Sequence, residues 1–177
     1  MEGAGYQMLE QTARPDQLHR RSLSRQQAET RVVTEVLELE TTGAPSFHDI
    51  TDEVNAIVRD SGVCFGHVSV FSCHTTAAIR INEGEPLLMR DLARTLRQIA
   101  PSNAYYEHND FGRRTVNMHE DEPANGHAHC QHLFLSTSET IPVIEGCTAL
   151  GTYQRVFLIE LDHPRERRVM VTVVGCS

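Results

Sequence analysis

Two runs near the C-terminus constrain the fold most. Residues 154–161 and 168–174 carry Val, Ile, Leu, Phe and Thr in close succession. Such runs suit the packed, pleated surface of a sheet. The polar turn Asp162-His163-Pro164-Arg165 lies between them. Three more strand patterns precede them, at 31–42, 63–71 and 76–81. In the first, Val33, Leu37 and Leu39 would face one side and Thr34, Glu38 and Glu40 the other, as in an antiparallel strand with one wet face. Gly43-Ala44-Pro45-Ser46 then breaks the pattern.

Two helices fit between these runs. Asp49 or Thr51 can cap one that runs to about Asp60, with Ile50, Val54, Ile57 and Val58 as its apolar stripe and Gly62 as its stop. Pro86 opens the other in its first turn. Leu88, Leu92, Leu96 and Ile99 recur along it, and Pro101 ends it. The strands come in adjacent runs and do not alternate strictly with helices. That order predicts an α+β domain, a mostly antiparallel sheet with two main helices packed on it. A chain of 177 residues fits one such domain. Residues 1–27 are polar, without apolar periodicity, and read as a flexible extension. The folded domain is expected over 28–177.

Composition excludes several functions. All sixteen basic residues are Arg, so lysine Schiff-base chemistry and a phosphate-loop lysine are ruled out. The net charge of −8 argues against a nucleic-acid partner. No apolar run reaches the ~18 residues needed to span a membrane, and no apolar leader begins the chain. A cytoplasmic protein is expected, with its five cysteines reduced and mostly buried.

Chemistry concentrates in the histidines. Seven of the ten lie between His67 and His132, three of them in Asn125-Gly-His127-Ala-His129-Cys-Gln-His132. Neutral imidazole is the commonest metal ligand and moves protons near neutral pH. If this segment is a strand, His127 and His129 share a face. If it is a helix, His129 and His132 do. Neither completes a site, because a catalytic zinc usually takes three protein ligands and a water. His74, after a strand end and before small residues, and His108, before Asn109-Asp110, can supply the rest. With His129 they would leave an open position for an activated water or a polarised substrate oxygen. Asp110 sits where it could orient an imidazole or handle a proton. His119, in an acidic loop, reads as solvated, and His67 as a core or sheet-face residue.

Two other patches offer chemistry. Asn82-Glu83-Gly84-Glu85 places carboxylates where a strand meets a helix; these cap the helix or, at Glu83, serve as a general acid/base. Gly146 to Gln154, with Gly151, Thr152 and Gln154, is a hairpin loop or a cradle for an anion. Arg165, Arg167 and Arg168 can clamp a phosphate.

The ordered set His74-Thr-Thr-Ala, Asn82-Glu83, Asp91, Tyr106-Glu-His108, Asn125-x-His127-Ala-His129, Gly151-Thr-x-Gln154 and Asp162-x-Pro-Arg165-x-Arg167 resembles the YjbQ-like family, also called the secondary thiamine-phosphate synthase family. The resemblance spans about residues 28–176. It implies a small α+β fold in a homotrimer, with pockets near subunit boundaries. It implies one site gathering His74, His108 and His129 around a divalent metal, zinc foremost. Glu83, Asn82 and Asp110 would be catalytic, and Gly151, Thr152, Gln154 and Arg167 would hold the substrate. The implied activity is a weak thiamine-phosphate synthesis, joining a pyrimidine pyrophosphate to a thiazole phosphate with loss of pyrophosphate. The same histidines would equally serve a non-catalytic trimer that binds a metal or a phosphorylated metabolite, or staple such a trimer through a metal. His132 reads as a surface imidazole. Tyr153 stands where the family usually has tryptophan, and His163 where it has glycine.

Overall fold

The computed structural model describes residues 29–119 and 121–177; the extension over 1–27 lies outside them. Eight strands and three helices follow in the order β1 (Thr30–Glu40), β2 (Ser46–Asp49), α1 (Thr51–Ser61), β3 (Phe65–Ser72), β4 (Ala77–Glu83), α2 (Pro86–Ile99), α3 (Gly126–His132), β5 (Ser138–Ile144), β6 (Cys147–Thr148), β7 (Gln154–Glu160) and β8 (Glu166–Cys176), with a short 3-10 turn at Glu107–Asn109. Every pairing is antiparallel. The α+β expectation is met, with one refinement: the strands divide between two sheets. One has five strands in the order β1-β8-β3-β5-β6, the other three in the order β2-β7-β4. The two strongest strand patterns are therefore neighbours in sequence that do not pair. The turn after β7 carries the chain from one sheet to the other.

The layering explains the apolar patterns. Val156 and Leu158 of β7 pack with Ala77 and Ile79 of β4 against Val169, Val171 and Val173 of β8 and Val68 and Val70 of β3. On the opposite face of β7, Phe157 and Ile159 pack with Ala78, Leu96 of α2 and Ala128 of α3. A strand covered on both faces needs no polar alternation, so β7 reads as an unbroken apolar run. β8 is covered on one face only. Arg167, Val169, Val171 and Val173 point inward and are buried, while Arg168 and Met170 are exposed. The edge strand β1 behaves likewise, with Val33, Leu37 and Leu39 half-buried and Val32 and Val36 exposed.

The stripe Ile50, Val54, Ile57 and Val58 closes the main core. Asp49 Oδ1 accepts from both the amide and the hydroxyl of Thr51 at the start of α1. Gly62, at φ +68°, supplies the left-handed stop. Glu85 caps α2 by accepting from the Leu87 and Leu88 amides. The remaining stripe of α2 is less well covered: Leu96 is buried, but Ile99 is 46% exposed.

Buried charge also ties the sheets together. Glu160 ends β7 and Arg167 is the second residue of β8, and both are fully buried. Arg167 Nε reaches Glu160 Oε2 at 2.7 Å and Nη2 reaches Oε1 at 2.5 Å. Thr41 donates to the same carboxylate, and Thr76 accepts from Arg167. One cysteine expectation needs correction: Cys73, Cys130 and Cys147 are exposed, and Cys64 and Cys176 half-buried, all of them free. Among the described residues no helix is long and apolar enough to cross a membrane.

Candidate functional site

The segment with three histidines is helical, as α3, so His127 and His129 point apart. The 3-10 turn bearing His108 docks on the start of this helix. Gly126 donates its amide to Asn109 Oδ1 at 2.9 Å. A Cβ at Gly126 would fall 2.6 Å from Tyr106 Cβ, so this close approach requires glycine. The result is a ring pair: His108 and His129 stand edge to face with centroids 4.6 Å apart. His108 Nε2, His127 Nδ1 and His132 Nε2 are buried with no hydrogen-bond partner among the described residues, so His132 is a half-buried ring and not the surface imidazole expected.

Asp162 organises the neighbouring turn. Its side chain is 3% exposed and accepts from Asn125 Nδ2 at 3.0 Å, from Arg165 Nη2 at 3.0 Å and from His163 Nδ1 at 2.8 Å. Burial alone would raise its carboxyl, but the bonds from Asn125 and His163 and the nearby charges hold it below the usual carboxylate range. Burial, followed by the charge of His108, lowers His129, against an opposing pull from Asp162. Burial lowers His127 as well. Both rings are thus biased toward the neutral form that accepts a proton or ligates a cation.

His74 is placed differently. Its Nε2 accepts the Arg168 amide at 2.8 Å. A neutral imidazole that accepts at Nε2 carries its proton on Nδ1, which leaves no lone pair for a metal. Among the described residues no three His, Cys, Asp or Glu side chains gather closely enough to hold a metal ion. His108, with its orphaned Nε2, and the His129 ring beside it are the two imidazoles that stand together here. His74 is not among them: its Nε2 is held by the Arg168 amide, and its charged neighbours are Glu160, Arg165, Arg167 and Arg168.

The remaining expected residues do not join this cluster. Asp110 spends its carboxylate on the Gly112 amide and on Arg113. Arg167 is committed to Glu160 inside the core and offers no free clamp. Gly151 donates its amide to Gln154 Oε1 at 2.7 Å, so the loop closes on itself. Asn82 Oδ1 accepts the Glu83 amide. Glu83 and Thr152 line a depression of about 370 Å³ with Asp49, Tyr153 and Arg155. It lies at the other end of β4: six residue steps separate Ala77 from Glu83, about 20 Å at ~3.3 Å per step.

Asn125, Asp162 and Arg165 form a hydrogen-bonded group beside the histidine helix. Arg165 was expected as a phosphate clamp; the burial of Asp162 has no signal in its residue type.

Residues 35–176 match the family model described as UPF0047 protein YjbQ-like. A UPF0047 protein of Methanothermobacter thermautotrophicus is 38% identical, over 81% of this chain and 93% of that one. The UPF0047 protein YjbQ of Escherichia coli O157:H7 is 31% identical, over 73% and 88%. Among solved structures, a YbjQ-like protein from Sulfolobus solfataricus is 34% identical and superposes with a TM-score of 0.75, over 83% of this chain and 99% of that one.

Proposed function

The chain belongs to the UPF0047 YjbQ-like family, and on that premise we propose that its histidine cluster binds a small phosphorylated molecule, in a homotrimeric transferase of the thiamine-phosphate synthase kind. The observation that carries this reading is the buried, unpartnered ring nitrogen His108 Nε2 with the His129 ring against it. Leaving such an atom unpaired costs about 1–3 kcal/mol, which a bound ligand would recover. Arg165 Nε is buried and unpartnered too, and guanidinium suits phosphate oxygens.

In this reading a divalent metal, zinc foremost, takes His108 and His129 as ligands, and further donors come from substrate or from a neighbouring copy. Such an ion supplies Lewis acidity at a phosphoryl oxygen. The protein's own part is to hold the two imidazoles on a rigid helix and turn, with Asp162 fixing Asn125 at the start of that helix.

The test pairs metal analysis of the purified protein with an assay of thiamine-phosphate formation from a pyrimidine pyrophosphate and a thiazole phosphate. The expected result is a stoichiometric metal and chelator-sensitive turnover, both lost in His129→Ala, with sedimentation giving a trimer. Turnover unchanged in His129→Ala would remove the cluster from the reaction. A second reading, binding without catalysis, is favoured by one fact: Glu83, the expected acid/base, lies about 20 Å along β4 from the strand's histidine end. A bound phosphorylated metabolite in native mass spectra, without turnover, would decide for it.

A further inference from the structure

A second cavity, sharing no lining residue with the histidine cluster, lies between α2 and the three-stranded sheet. It holds about 210 Å³ and opens to solvent past Ile99 and Phe134, 46% and 64% exposed; its other walls are chiefly Phe47, Leu92, Leu96 and Phe157. Protein interiors pack with few voids larger than a water molecule. The helix over this one carries the stripe Leu88, Leu92, Leu96 and Ile99, yet only Leu96 of the four is buried. A void of about 150 Å³ lined by Leu, Ile and Phe holds a benzene ring, so this cavity is of single-ring size.

Its polar lining is biased toward donors. Asn82 commits Oδ1 to the Glu83 amide, and its Nδ2 has no acceptor among the described residues. Arg80 is held by Ser136 and Glu139 through Nη1 alone. Its Nε and Nη2 likewise find no acceptor among those residues. No carboxylate lines the cavity, although the chain carries a net charge of −8.

We propose that this cavity binds a small planar aromatic carboxylate. The ring lies between the apolar side chains of α2 and Phe157, and the carboxylate meets the Arg80 guanidinium and the Asn82 amide. Nε and Nη2 of one guanidinium form a fork that matches a carboxylate's two oxygens. Glu139 holds Arg80 in position from the other nitrogen.

The test uses the full chain, labelled at its Leu and Ile methyl groups, titrated separately with benzoate and with benzylamine. Benzoate is expected to shift Leu92, Leu96, Ile99 and Ile159 saturably, and benzylamine to leave them unmoved. Arg80→Met is expected to weaken benzoate roughly tenfold or more, as hydrogen bonds to charged groups do. Ile99→Trp, a change at the half-exposed rim, is expected to block binding with the melting temperature kept. Equal shifts from the two probes, or undiminished benzoate binding in Arg80→Met, would overturn the proposal. So would protection of Ile99 and Phe134 from a soluble relaxation agent in the free protein, because a second copy would then fill the cavity.

Discussion

At the scale of residues, the site depends on one missing side chain. Gly126 lets the Tyr106 turn approach α3, and that approach sets His108 against His129. Gly126→Ala must displace Tyr106 or the helix start. Overpacking of this kind costs about 1–3 kcal/mol, read as a lower urea midpoint. A nuclear Overhauser contact between the His108 and His129 rings, expected in the native protein, should weaken or vanish in the variant. A native-like midpoint with the ring contact intact would show that the turn does not depend on this approach. The histidines themselves were legible as residue types, and their clustering drew attention to the right helix. Their partners were not legible. Nothing in the residue type tells that His74 accepts a backbone amide from β8, 94 positions away, because that bond exists only once β3 has paired with β8.

At the scale of elements, α1, α2 and the strands β1, β3, β4, β7 and β8 could be read from their apolar patterns. Four elements, β2, α3, β5 and the two-residue β6, could not. β5 carries Pro142, which obscures a strand pattern; here it is tolerated because β6, on that side, is only two residues long. β2 has four residues. α3 has seven, too short for a helical stripe, and it is held by capping interactions with its neighbours. Gln131 makes one of these. It is 1% exposed and donates Nε2 to the carbonyls of Leu96 and Ala100 at the C-terminal end of α2, at 3.1 and 2.9 Å. Gln131→Leu would leave the Ala100 carbonyl without its donor, while the Leu96 carbonyl keeps the Ala100 amide, at a cost of about 1–3 kcal/mol. Hydrogen exchange should show the loss concentrated in the last turn of α2. Uniform exchange across the domain would argue against a local cap.

At the scale of the whole molecule, two sheets share one core, and the Glu160–Arg167 pair joins them where the chain crosses over. Arg167→Met would strand a buried carboxylate, at about 3–5 kcal/mol. Adding Glu160→Gln should recover much of that loss, because no bare charge then remains. Burial pushes the Glu160 carboxyl up, but the bonds from Arg167, Asp162 and Thr41 outweigh it and hold it low. Its folded value therefore lies below its unfolded one, so its contribution is complete above the unfolded carboxylate range, near pH 4.5. That contribution is lost as pH falls through the folded value. Urea unfolding between pH 6 and pH 3 should show a steeper acid loss in the native chain than in the double variant. Parallel curves would mean that Glu160 is not linked to stability in this way.

The central claim is that His108 and His129 form one ligand site on a YjbQ-like domain. Imidazole resonances of the full-length protein, followed while inorganic pyrophosphate is added with and without zinc, test it most directly. Concerted, saturable shifts of His108 and His129, with His48 and His67 unmoved, are expected. Stationary His108 and His129 signals at saturating ligand, in the assembled protein, would contradict the claim.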